Sequence, residues 1–189
     1  MASFLPEQTA RRVAELHLRG SAGPLQTHIL WPRSGPATPP VAVLCPGGGP
    51  AGEDLGHALC GAGLLLVTVP SAKSAADVAG VVEWVGDHGV ELGADPGRLL
   101  VAGAGRGAEM AAAVAIHVRD QGWPPISLQV LVEPEFARFP ADDLARIAPA
   151  VIVGEGGGRY VERLRGSGVH VAELRAMAAL VPLLRSTLR

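Results

Sequence analysis

The chain has little cysteine, little aromatic residue and a single lysine. In 189 residues there are two cysteines, one tyrosine and Lys73 alone among 16 basic side chains, and aromatics make up 4%. Each shortage removes a class of explanation. Cys45 and Cys60 supply neither a disulfide framework nor the paired spacing of a thiolate metal site. A formal net charge of −2 lacks the basic footprint of a nucleic-acid binder or of a protein held on an anionic membrane. No apolar run approaches the ~20 residues needed to cross a bilayer. The start, Met1-Ala-Ser-Phe-Leu-Pro-Glu-Gln8, lacks the charged and apolar regions of a secretory signal. The expectation is a cytoplasmic protein with no metal, no cofactor, no nucleic acid and no membrane among its partners. The length fits one domain, residues 1–189, large enough to bury a core.

What is present is glycine and short apolar runs. Glu7 to Leu18 reads as an amphipathic helix, with Val13, Leu16 and Leu18 among Arg11, Arg12 and Glu15. Leu25 to Trp31 alternates like an exposed or edge strand, and Pro32 to Pro40 is a Pro/Gly-rich connector. Buried-type strands are predicted at Val41–Cys45, Leu64–Val69, Arg98–Ala102, Ser127–Val132, Ala150–Val153 and Val169–Leu174. Helices are predicted around Asp54–Gly61, Ser74–His88, Gly105–Gln121, Tyr160–Arg165 and Met177–Leu188. Continuously apolar strands alternating with helices imply an α/β fold, a mainly parallel sheet with helices on both faces.

The most informative stretch is Leu99-Leu-Val-Ala-Gly103-Ala-Gly105-Arg-Gly107-Ala-Glu109, a strand, a tight turn and a helix. It has the layout of a nucleophile elbow, G-x-S-x-G, with Gly105 between the outer glycines Gly103 and Gly107. Around it, Ala94-Asp-Pro-Gly-Arg-Leu-Leu-Val-Ala-Gly103 and Trp123-Pro-Pro-Ile-Ser-Leu-Gln-Val-Leu-Val132 resemble the hormone-sensitive-lipase branch of the α/β-hydrolases. The resemblance runs from about Leu25 to Met177 and weakens after Pro134. It implies a carboxylesterase-like scaffold with Cys45-Pro-Gly-Gly-Gly49 in the place of the oxyanion loop.

Measured against that family, the chain departs at each catalytic position. Gly105 stands where the family has its serine, and Pro46 where it has the histidine before the glycines. Gly154-Glu155 runs directly into Gly156-Gly-Gly158 where the family's acid is found, and Ala179 falls at the histidine position. Pro70-Ser-Ala-Lys73 replaces a longer strand end. With little chain before Leu25 and Glu133 to Ile147 as a short stand-in for the central insertion, a reduced or absent cap is expected.

These departures predict a protein unable to act as a serine esterase. Two classes remain open. One is a catalyst repurposed for a non-hydrolytic step such as cyclisation or elimination. The other is a non-catalytic binding module or inactive partner subunit. The retained apparatus is backbone: Gly47, Gly48, Gly49, Gly105 and Arg106 can present N–H groups to a small apolar or carbonyl-containing ligand. Glu133 and Glu135, at a strand's carboxyl end, are the candidate proton acceptors. Glu109, one turn after Arg106, is placed to pair with it. Cys45 is a weak nucleophile candidate because it ends a buried strand.

A further alternative is nucleotide binding, since Gly103-Ala-Gly105-Arg-Gly-Ala108 also satisfies G-x-G-x-x-G/A and Glu133 ends the next strand. Apolar surface left by a missing cap, with Ala178-Ala-Leu-Val-Pro-Leu-Leu184 as a second sticky face, predicts a homodimer or a complex with a larger protein.

Overall fold

In the computed structural model, residues 8–21, 23–45, 47, 49–136 and 143–188 are described. Strands β1 (Ala10–Gly20) and β2 (Gly23–Pro32) form an antiparallel hairpin, and β2 runs antiparallel to β4 (Leu65–Thr68). The remaining pairs are parallel and join β4 to β3 (Pro40–Leu44), β5 (Asp95–Ala104), β6 (Ile126–Val132), β7 (Ala150–Val153) and β8 (Val171–Leu174). The spatial order is β1-β2-β4-β3-β5-β6-β7-β8. The expected α/β class with a mainly parallel sheet is present.

Helices cover both faces because the parallel strands are apolar on both. Along β5, Leu99 and Val101 face one core while Leu100 and Ala102 face the other. The first core is closed by α2 (Ala75–His88), α3 (Arg106–Gln121) and α4 (Gly158–Gly166) through Val78, Val82, Ala111, Ala112 and Leu164. The second is closed by α1 (Gly49–Gly61) and by α5 (Leu180–Thr187), which follows a 3-10 turn at Met177–Ala179. Leu55, Leu59, Leu180 and Leu184 meet there fully buried. Each contributes about 2 kcal/mol of apolar burial. The C-terminal run 178–184 thus spends two of its leucines, Leu180 and Leu184, inside the fold.

Two polar clamps tie distant segments. Ser74 caps α2 by accepting from Asp77 N at 3.2 Å. The Asp77 carboxylate in turn accepts from Ser21 N at 2.8 Å, Ser21 Oγ at 2.7 Å and Lys73 N at 3.1 Å, joining the β1–β2 turn to the start of α2. These donors, with the Ser21 amide foremost, hold the carboxyl far below the usual carboxylate range. Arg98 holds Asp95 through Nε at 2.7 Å, the Leu188 carbonyl at 2.7 Å and the Thr38 carbonyl at 2.8 Å.

Three expectations need correction. The segment predicted as a helix over Glu7–Leu18 is strand β1, as far as it is described. Ala14, Leu16 and Leu18 are half-buried against the first core, while Val13, Glu15, His17 and Arg19 are exposed. That is period two, and ten residues of backbone pairing with β2 decide it over the i, i+3 spacing of Val13 and Leu16. The Leu25–Trp31 strand is interior, because β1 supplies the edge. Helix α1 begins at Gly49, ahead of the predicted start at Asp54. Among the described residues no helix is long and apolar enough to cross a membrane, and no group of three metal-ligating side chains occurs.

Candidate active site

The β5–α3 turn is built by glycine at each point where backbones meet. A Cβ on Gly103 would overlap the Gly107 carbonyl, and one on Gly47 would overlap the Ala104 carbonyl. A Cβ on Gly107 would come within 2.9 Å of the Cys45 carbonyl and 3.1 Å of Gly47 Cα. The loop after β3 therefore rests directly on the first turn of α3, at the carboxyl end of the sheet.

Gly105 itself has φ 52 and ψ −120, a sharp strand-to-helix conformation that L side chains rarely adopt. Its N–H donates to the Val132 carbonyl at 2.9 Å, and a Cβ placed on it would meet nothing within 4 Å. α3 carries no side-chain cap, so its first amides face whatever lies before the turn. Gly47 and Arg106 border one hollow of about 630 Å3, together with Lys73, Ser74, Glu109 and Met110. Gly49, at φ +73, already belongs to α1. Pro46 and Gly48 lie outside the described residues, so the Gly48 amide is not located.

The two predicted carboxylates separate. Glu133 follows the Ala104–Val132 register pair by one residue, which puts it at the strand end beside Gly105. It is exposed, has a positive φ of 46, donates its N–H to Val153 O at 2.8 Å, and lays its side chain over Gly154. Glu135 opens instead on a second hollow of about 470 Å3, lined by Phe136, Gly156, Arg159 and Tyr160. There the Phe136 and Tyr160 rings lie 4.2 Å apart, and burial pushes the Tyr160 phenol up to about 12.

Other candidates resolve simply. Ala179 is exposed on the 3-10 turn after β8. Arg106 and Glu109 make no ion pair, each side chain standing by itself among the described residues. Cys45 is fully buried, and burial drives its thiol far above the ordinary value, which removes it as a nucleophile. Lys73 was not among the predicted site residues. Its one local signal was its place just after an apolar strand, at the carboxyl end where α/β proteins bind ligands.

Comparison with known proteins gives one direction. Residues 69–153 match a family described as alpha/beta hydrolase fold. Esterase LipI of Mycobacterium tuberculosis is 37% identical over 151 residues, a match covering 69% of this chain and 47% of LipI. The chain thus spans about half the length of that relative. A thermostable esterase from Pseudomonas putida ECU1011 superposes with a TM-score of 0.78 at 20% identity, over 94% of this chain and 83% of that one. EstE1, a thermostable carboxylesterase cloned from a metagenomic library, gives 0.78 at 20% identity, over 95% and 90%. The fold is the α/β-hydrolase fold, and the similarity runs to its carboxylesterase branch.

These relatives overturn the expected inability to act as a serine esterase, the cyclisation or elimination step, the reading as a non-catalytic binding module, inactive partner or pseudoenzyme, and the nucleotide-binding alternative. That expectation weighed Gly105, Ala179 and the short run after Glu155 above a likeness spread along the chain. Gly105 remains the residue at the turn.

Proposed function

From an α/β-hydrolase fold whose relatives are named esterases, we propose that this chain hydrolyses carboxylic esters, with water as the attacking group. The observation that carries the reading is the Gly105 turn at φ 52 and ψ −120 with the Gly47 loop packed on it. That frame keeps backbone N–H groups of Gly47 and Arg106 in place to polarise an ester carbonyl, and preorganised donors of this kind are a large term in acyl transfer. The open space above Gly105 takes the water. Its oxygen attacks the carbonyl carbon while one proton passes to the Glu133 carboxylate. The ester C–O bond then breaks, and the leaving alkoxide takes a proton back from Glu133.

Glu133 has this role through its backbone position at the strand end next to the turn; its side chain, laid over Gly154, rotates toward Gly105 to take the proton, whereas Glu135 belongs to the second hollow. The test is initial-rate hydrolysis of short-chain p-nitrophenyl esters. Saturable turnover above buffer is expected, falling about 10²-fold in Glu133→Gln, the usual scale of a lost general base, and little changed in Glu135→Gln. Turnover no greater than buffer overturns the reading.

A further inference from the structure

Resting on the esterase reading, we propose that the hollow beside Gly47 selects esters that carry a second, anionic group, held by Lys73 and Arg106. The two cations come from different strand ends, Lys73 after β4 and Arg106 after β5, yet they border the same 630 Å3 hollow. That volume is in the range of about 300–1,000 Å3 that small-molecule sites occupy.

Both charged heads are held free. Lys73 is anchored only through its backbone N–H, which donates to Asp77 at 3.1 Å, and its ammonium has no partner among the described residues. The Arg106 guanidinium likewise has none. Other arginines are engaged: Arg98 by three acceptors, Arg119 by Asp120 and two carbonyls, Arg165 by Glu173.

Two carboxylates stand near the pair. Asp77 keeps its charge, but it is buried, accepts from Ser21 and the Lys73 amide, and does not line the hollow. Glu109 lines the hollow as a single opposing carboxylate, which leaves the wall with one net positive charge.

The lining sets the ligand class. Gly47 and Arg106, whose amides the esterase reading uses, border the hollow together with the two cations, and Ala72, Ala75 and Met110 are its apolar lining. A half-ester of a short dicarboxylic acid matches that lining, with a carbonyl for the amides, methylenes for the apolar side chains and a carboxylate for the cations. A guanidinium fork matches a carboxylate in two parallel hydrogen bonds, and the ammonium adds a point charge. The hollow is open to solvent, so salt screens the attraction.

The experiment uses probes that do not turn over. The full chain is titrated by NMR with N-methylglutaramic acid, which has one free carboxylate, and with N-methylpentanamide, its neutral counterpart. At low salt the acid is expected to bind about tenfold tighter, a difference of roughly 1.4 kcal/mol. Lys73→Met and Arg106→Met should each lower that ratio about threefold, the usual scale of one solvent-exposed ion pair. Glu109→Gln should raise it, because a repelling carboxylate is gone, and added salt should lower it.

No preference for the acid, or a preference that neither Lys73→Met nor Arg106→Met reduces, overturns the proposal. Hydrolysis of monomethyl and dimethyl glutarate is measured separately. Preferential binding of the acid without hydrolysis of either ester sinks the esterase reading and leaves the anion clamp standing.

Discussion

The turn at Gly105 and the clamp at Asp77 sit at the same end of the sheet, the carboxyl end of its parallel strands, and are built in opposite ways. The turn is made by leaving atoms out: Gly47, Gly103 and Gly107 let a strand, a loop and a helix touch through their backbones. The clamp is made by side-chain atoms, with one carboxylate gathering donors from Ser21 and Lys73. The first therefore breaks when atoms are added, and the second when they are removed.

The largest expected effect comes from adding one methyl. Gly103→Ala would drive a Cβ into the Gly107 carbonyl, with backbone on both sides and no side chain to swing away. We expect a loss of at least about 3 kcal/mol, the upper part of the overpacking range, read as a fall in the chemical-denaturation midpoint. An unchanged midpoint would mean that β5 and α3 are not packed this closely.

Removing the clamp comes next. Asp77→Ala strands the donors of Ser21 and of the Lys73 amide, at a cost of roughly 2–3 kcal/mol for hydrogen bonds to a charged acceptor. The same carboxylate sets an acid limit. Its folded value is depressed, so its contribution is complete above the unfolded carboxylate value, about 4, and is lost as the pH falls below that toward the folded value. Asp77→Asn should flatten the dependence of stability on pH between about 5 and 3, followed by denaturation at each pH. An unaltered slope would show that other carboxylates carry the acid sensitivity.

Smaller effects sharpen the contrast. Gly105→Ala adds a methyl where nothing lies within 4 Å, so only the positive φ is penalised, by about 1–2 kcal/mol. A cost equal to that of Gly103→Ala would contradict the open space above the turn. Ser74→Ala removes one cap from α2 and should cost about 1 kcal/mol, seen as a small drop in thermal midpoint with no change in fold by circular dichroism.

Much of this frame was legible along the chain because its causes are local. Apolar runs bounded by glycine marked the parallel strands, Ser74 marked the start of α2, and Gly103-Ala-Gly105-Arg-Gly107 marked a sharp turn into α3. The segment now seen as β1 was misread because its apolar residues satisfy two periods at once. Only pairing with β2 chooses between them, and those hydrogen bonds are made by another part of the chain. Glu135 was grouped with Glu133 by sequence proximity, yet the chain turns between them at buried Pro134 and sends Glu135 to a different hollow.

By itself the sequence determined where the backbone must come close and bend, since a glycine at 47, 103, 105 or 107 acts through the atoms it lacks whatever surrounds it. It also determined the two-faced burial of the central strands, because an unbroken apolar run has no side that tolerates water. The tertiary structure alone decided that Lys73 and Arg106 share one hollow. They stand thirty-three positions apart, at the ends of strands β4 and β5 that are not neighbours but flank β3. Their meeting depends on strand order, a long-range property that no local spacing of residues records.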